Sequence, residues 1–264
     1  MEKQGKTKWS PRIKIVSLGD AAVGKSCIIK RYCEKRFVNK YMATIGIDYG
    51  VTKVFVDGKE VKVNIFDMAG HPIFYEVRNE FYKDTQGALL VFDVSCKQSF
   101  DSLQTWLNEM RKEIGDPTDM EKVVFIVCAN KTDKRRVVDE NTGRIWANNC
   151  GFHYFETSAL NGDGVNKMFQ TLFEEVLKML QSGCNATRVA TTLGWTKEQS
   201  DAIQRLVNGK DNYDRLGLHN GASREDVNRA YRKLAMLIHP DKSIAPGSEE
   251  AFKVLVDARK ALLK

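Results

Sequence analysis

The segment Gly19-Asp20-Ala21-Ala22-Val23-Gly24-Lys25-Ser26 constrains this chain more than any other. It fits the pattern G-x-x-x-x-G-K-[ST] and lies between an apolar, β-branched run, Ile13–Leu18, and a helical pattern over Lys25–Arg36. Gly19 and Gly24 let a loop wrap so closely that backbone N–H groups converge on a phosphate, and the following helix turns its positive end to the same point. The amides around Ala22, Val23 and Cys27 would form that cradle, Lys25 would reach the outer phosphates, and the Ser26 hydroxyl would hold Mg2+. Such a loop requires a strand before it and a helix after it, so the chain must build an α/β sheet.

The rest of the first 180 residues agrees. Val51–Val56 and Val61–Phe66 flank Asp57-Gly58, a strong hairpin signal. Ala88–Phe92, Val123–Ala129 and Phe152–Phe155 read as buried strands; Phe100–Ile114, Glu140–Asn149 and Val165–Leu180 read as helices. The alternation predicts a mostly parallel sheet covered by helices on both faces, with the hairpin adding one antiparallel edge strand. Residues 1–12 form a polar arm, and the α/β unit spans 13–180.

After Leu180 the composition turns polar, and 181–212 reads as a linker with one weak helical stretch at Lys197–Val207. Residues 213–264 are helical throughout, which predicts a small all-α domain. Ser223–Ile238 sets Val227, Ala230, Tyr231, Leu234 and Leu237 on one face, with Arg224, Arg229, Arg232 and Lys233 largely off it. Ser248–Leu263 forms a second helix, with Ser248 as its N-cap.

Composition narrows the function classes. No stretch approaches the ~18 apolar residues needed to cross a bilayer, and the first residues carry neither a signal-peptide core nor Gly at position 2. The cytoplasm is therefore expected, with the nucleus open to a chain that carries no anchor. The six cysteines show no metal-ligand rhythm and read as buried thiols, Cys184 excepted. A formal charge of +7 without an aromatic-interleaved basic patch argues against nucleic acid, and Lys134-Arg135-Arg136 reads as a solvated loop.

Three more motifs follow in order. Asp67-Met68-Ala69-Gly70 closes an apolar strand, which places the Asp67 carboxylate near a bound Mg2+. Asn130-Lys131-Thr132-Asp133 and Thr157-Ser158-Ala159 each follow a strand, at the ends where open parallel sheets bind ligands. A carboxylate at Asp133 accepts two N–H groups from guanine, whereas adenine would leave it desolvated and unpaired. Together these motifs make residues 12–180 resemble a Ras-superfamily small GTPase, closest to the Rab group. The resemblance implies a GTP/GDP switch with Mg2+ held by Ser26, Thr44 and Asp67. Phe37 would pack against the base edge, and Gly70 would donate its N–H to the terminal phosphate. Lys131 would lie along the base, with Asn130, Ser158 and the Ala159 amide completing the pocket. Segments 39–48 and 68–80 would be the two switches.

The chain departs from that family where the attacking water is usually oriented by Gln: it has His71, followed by Pro72. An imidazole lacks the side-by-side donor and acceptor of an amide, and Pro72 biases His71 towards extended backbone. Slow hydrolysis and a GTP-rich resting state are expected, with His71, Gly70 and Lys25 as the catalytic set. The alternative is a constitutively GTP-loaded scaffold with negligible turnover. Ala21 and Leu160 are milder departures, and the ending Ala261-Leu262-Leu263-Lys264 offers no prenylated cysteine for a stable membrane anchor.

Near the end, Tyr213-Asp214-Arg215-Leu216-Gly217-Leu218 precedes Ala230-Tyr231-Arg232-Lys233-Leu234-Ala235 and His239-Pro240-Asp241-Lys242, with Phe252 to Ala258 and Leu262 after them. Residues 213–264 thereby resemble the J domain of DnaJ-type co-chaperones. That resemblance implies a DnaK-type chaperone ATPase as partner, engaged by His239, Pro240 and Asp241 and by the basic face bearing Arg232 and Lys233. Arg259 stands where such domains often carry Tyr, and the usual short fourth helix is missing. The expected molecule is a monomer whose effectors and exchange factor the sequence does not identify.

Overall fold

The computed structural model describes residues 11–56, 58–181, 197–239, 243 and 247–263; Asp57, Cys184, Pro240 and Asp241 lie outside them. Strand β1 (Arg12–Leu18) runs into the Gly-rich loop and helix α1 (Lys25–Glu34), which stops at Lys35 in the left-handed conformation (φ 56°). The hairpin strands are β2 (Ile47–Val56) and β3 (Lys59–Met68), followed by 3-10 turns at Pro72–Phe74 and Asn79–Phe81 that flank the short α2 (Tyr75–Arg78). Next come β4 (Gly87–Asp93), α3 (Lys97–Asp101), α4 (Leu103–Ile114), α5 (Pro117–Glu121), β5 (Val124–Asn130), α6 (Glu140–Asn149), β6 (His153–Thr157) and α7 (Val165–Gln181). The helical stretch expected over Phe100–Ile114 is divided at Ser102, whose hydroxyl donates back to the Gln98 carbonyl (2.9 Å).

The sheet order is β2-β3-β1-β4-β5-β6, parallel except for β2, which pairs antiparallel with β3 from Ile47↔Met68 to Val56↔Lys59. Each central strand feeds two cores by alternation. Ile13, Ile15, Leu89, Val91, Ile126 and Cys128 face α1 and α7; Val16, Leu18, Leu90, Phe92, Val127 and Ala129 face α4. Helix α7 buries Val165, Met168, Phe169, Leu172, Phe173 and Val176 at spacings of three and four, each contributing about 2 kcal/mol by apolar burial. All parallel strands end on the same side, and that shared edge carries the motifs.

The C-terminal unit comprises α8 (Lys197–Asn208), α9 (Asn212–Leu216), α10 (Arg224–Leu237) and α11 (Ser248–Leu262). The weak helical stretch inside the expected linker is α8, and its Ala202, Ile203 and Leu206 are buried in the helical core. Ser223 caps α10 by accepting from the Asp226 amide (3.1 Å). Ser248 is not the cap of α11: Gly247, with φ 84°, takes that position, and the Ser248 hydroxyl bonds Ser243 instead (2.8 Å). One apolar cluster runs continuously from Phe66, Phe81 and Tyr49 into Phe252, Leu255 and Tyr231.

Candidate functional site

The loop after β1 has the strained backbone its motif demands. Gly24 sits at φ 103°, and a Cβ there would fall 2.3 Å from the Asn130 amide nitrogen. Ala22 also adopts positive φ (64°), an unusual conformation for a residue with a side chain. Its carbonyl accepts from Lys131 (2.6 Å), and the buried Asn130 amide donates to the Val23 carbonyl (2.8 Å). The Asn130–Asp133 segment therefore braces the glycine-rich loop from behind.

Lys25 is buried, its ammonium donating to the carbonyls of Gly19 (2.6 Å) and Asp20 (2.8 Å). Burial lowers its pKa to about 8 against the opposing attraction of Asp67 and Asp20. Beside it, three oxygens converge. The Ser26 hydroxyl donates to Asp67 Oδ2 (2.5 Å) and lies 2.9 Å from the Thr44 hydroxyl, which itself donates to Asp67 Oδ2 (3.2 Å). Burial pushes the Asp67 carboxyl above its ordinary range, while Lys25 and the hydroxyls of Ser26 and Ser17 pull it back. Two hydroxyls and a carboxylate at one point are hard oxygen donors of the kind that would hold Mg2+. Gly70 lies against the loop so closely that a Cβ would come within 2.4 Å of the Ala21 nitrogen and the Asp20 carbonyl carbon.

At the other end of the edge, Ser158 donates to Asp133 Oδ1 (2.5 Å) and fixes that carboxylate. Asn130 Oδ1 accepts from Thr157 (3.2 Å) and from the Ala159 amide (3.3 Å), so Asn130 holds both loops. Lys131, at φ 67°, pairs with Asp93 (2.6 Å). Phe37 packs beside Arg31, whose guanidinium lies 5.9 Å from its ring and donates to the carbonyls of Ala159 and Leu160. Cys27, in the first turn of α1, is half-buried, and burial raises its thiol pKa.

His71 adopts the expected extended backbone (φ −90°, ψ 135°) and is exposed. Its Nδ1 accepts from the Ile73 amide (3.2 Å), capping the turn at Pro72–Phe74. With Nδ1 accepting from that amide, the ring hydrogen lies on Nε2, so neither nitrogen has a lone pair for a water proton while Nε2–H can still donate.

Some supporting residues were absent from the sequence reading. Ser17 donates to Asp67 Oδ1 (3.0 Å), and its signal was a lone hydroxyl in the apolar run Ile13–Leu18. Asp93 was equally visible as the acid closing Ala88–Phe92. Arg78 donates to the His71 carbonyl (2.9 Å) and the Ala69 carbonyl (3.4 Å), and Asp20 accepts from the Trp106 indole (2.7 Å). No local pattern marks either of these.

In the C-terminal unit Lys233 is exposed and Arg232 pairs with Glu76 of the α/β unit (3.2 Å). His239 is not presented outward as the tripeptide reading implied: it is 6% exposed, stacked on Phe66 at 5.3 Å.

Residues 14–178 match the Ras family model and residues 211–264 match the DnaJ domain model. The chain belongs to the Ras family: it is a Ras-family GTPase domain joined to a C-terminal DnaJ domain. It is similar along its whole length to proteins described as DnaJ homolog subfamily C member 27. The Danio rerio relative is 61% identical and the Homo sapiens relative 60%, each over 266 residues covering 100% of this chain and 97% of the relative. The Xenopus laevis relative, described as member 27-A, is 58% identical over the same span.

Proposed function

We propose that this chain is a guanine-nucleotide switch of Rab-like character that binds GTP and GDP with Mg2+, hydrolyses GTP slowly, and engages a DnaK-type chaperone ATPase through its DnaJ domain. The observation that carries the nucleotide reading is the convergence of Ser26, Thr44 and Asp67 beside Lys25, at the strand edge that also bears Asp133. Mg2+ held there would neutralise charge on the phosphate oxygens. Lys25 would exchange its two loop carbonyls for phosphate oxygens, and the amides of Gly24, Lys25, Ser26 and Cys27 would donate to the same anion. Asp133, pinned by Ser158 at one oxygen, would accept from the guanine edge, with Asn130, Lys131, Phe37 and Ala159 around the ring.

Slow turnover rests on His71. With Nδ1 taken by Ile73 and Nε2 protonated, the ring would donate to a water but accept nothing from it. Positioned proton acceptors contribute about 100-fold or more to such reactions. Single-turnover release of γ-phosphate from preloaded GTP tests this, comparing native chain with His71→Gln. The variant is expected to be at least about tenfold faster, equal to 1.4 kcal/mol off the barrier. Equal rates at an ordinary small-GTPase pace would remove His71 as the brake.

The same geometry supports the scaffold reading if the native chain shows no measurable turnover. We also propose the cytoplasm, with access to the nucleus, as its location, which fractionation of the native chain tests; separately, no helix among the described residues is long and apolar enough to cross a membrane.

A further inference from the structure

We propose that the GTPase domain masks the DnaJ domain: the face formed by β2, β3 and residues 74–81 occupies the surface that a chaperone ATPase would need, and the nucleotide state read at Thr44 controls its release. This inference rests on the chaperone reading above.

The contact is apolar at its centre. The His239 imidazole, first residue of the tripeptide, lies parallel to Phe66 (5.3 Å, 18°) and against Phe81 (5.5 Å). Phe252 of α11 meets Tyr49 edge-on at 5.2 Å and Phe66 at 6.3 Å. A chaperone that reads His239 cannot reach it without parting these rings.

Charge complements the rings. Lys260 pairs with Asp48 (2.6 Å), Arg232 with Glu76 (3.2 Å), and Glu249 with Arg12 (3.3 Å) and Lys62. Pairs at the rim of a contact add little affinity, but they set the register. Here the GTPase domain supplies acids to the cations of α10 and α11, which an acidic chaperone surface would otherwise meet. Arg232 cannot serve both partners at once.

Arg259 links the contact to the nucleotide. This departure from the J-domain pattern is 1% exposed and donates to the carbonyl of Ile45 (3.1 Å). Asn228 holds its other nitrogens (3.0 and 2.8 Å), and Tyr231 lies under it at 4.6 Å. A side chain at position 46 would collide with it, because a Cβ on Gly46 would fall 1.8 Å from Nη1. Ile45 directly follows Thr44, whose hydroxyl sits on the Ser26–Asp67 cluster. Docking is thus seen with Thr44 in the position that a terminal phosphate and its cation would fix. Loss of that phosphate would free Thr44, move the Ile45 carbonyl and leave a buried guanidinium short of an acceptor, which weakens docking.

The test uses the full chain loaded with GDP or with a non-hydrolysable GTP analogue, and reads steady-state ATP turnover of a DnaK-type chaperone. The native chain with the GTP analogue is expected to stimulate weakly. The GDP-loaded chain and a Glu249→Lys/Lys260→Glu variant should stimulate at least fivefold more, and adding His239→Gln to that variant should abolish the effect. Amide exchange over residues 47–56 should be faster in the variant than in the native chain. Equal stimulation by native and variant chains, lost with His239→Gln, would overturn masking and leave the chaperone reading intact. No stimulation by any chain, with faster exchange in the variant, would remove the chaperone reading and masking with it. Identical exchange in native and variant chains would mean the docked face does not form in solution, which also overturns the proposal.

Discussion

Replacing Arg78 with Met tests how the segment after Asp67 is held. The Arg78 side chain is 3% exposed and its partner Glu109 15%. Two parallel bonds join them, Nε to Oε1 at 2.6 Å and Nη2 to Oε2 at 2.7 Å, and the guanidinium also lies 4.7 Å from the Trp106 ring. Arg78→Met keeps the packing against Trp106 but strands a partly buried carboxylate, against a loss of about 3–5 kcal/mol where such a charge is fully buried. The Tyr82 hydroxyl still donates to Glu109 (2.5 Å), which places the expected cost at the lower end, about 3 kcal/mol. For a chain of this size that lowers Tm by about 6–12 °C, measured by calorimetry at saturating nucleotide and Mg2+. Adding Glu109→Leu removes the stranded charge and should recover at least half of the loss, since a buried pair replaced by apolar groups is often neutral. Both chains nonetheless lose the donor to the His71 and Ala69 carbonyls, so amide exchange over residues 69–74 should rise equally in each. An Arg78→Met chain within about 1 kcal/mol of native, or a double variant less stable than the single, would refute this account.

Three smaller tests follow from single contacts. Gly70→Ala would push a Cβ against the Ala21 nitrogen at 2.4 Å; guanine-nucleotide affinity by equilibrium titration should fall at least about tenfold, about 1.4 kcal/mol. The Tyr231 hydroxyl is buried with no hydrogen-bond partner among the described residues; Tyr231→Phe should leave stability unchanged or raise it by up to about 1 kcal/mol in urea unfolding. Burial pushes the Asp93 carboxyl up, but bonds from Lys131 and Ser95 outweigh it and hold the group below its usual range. A depressed carboxylate stabilises the fold fully above its unfolded pKa, about 3.9, and less as pH falls through the native value. The stability gap between native and Asp93→Asn should therefore be constant above pH ~5 and close below ~4; a gap that widened in acid would contradict the assignment.

Local patterns carried much of the architecture. Apolar runs ending at Gly19, Asp67 and Asn130 became β1, β3 and β5, with the motif residues at their C-terminal ends. Asp57-Gly58 placed the hairpin, and α6 began and ended where its periodicity did. Local reading did less well with α8, because its exposed face is polar and only Ala202, Ile203 and Leu206 turn inward. Their burial depends on packing against α9 and α11, which no window around them contains.

What the sequence determined by itself was which side chains stand at the strand edge: Lys25, Ser26, Asp67, Asn130 and Asp133 are placed there by short-range rules linking residue type, turn and strand end. The tertiary structure decided how those side chains are held and to what they are joined. Ser17 on Asp67, Arg78 on Glu109 and Arg259 on Ile45 unite residues separated by up to 214 positions. In the sequence Arg259 was only a departure from a pattern. Its meaning lies in a buried guanidinium needing acceptors, and only the folded chain brings the Ile45 carbonyl within its reach.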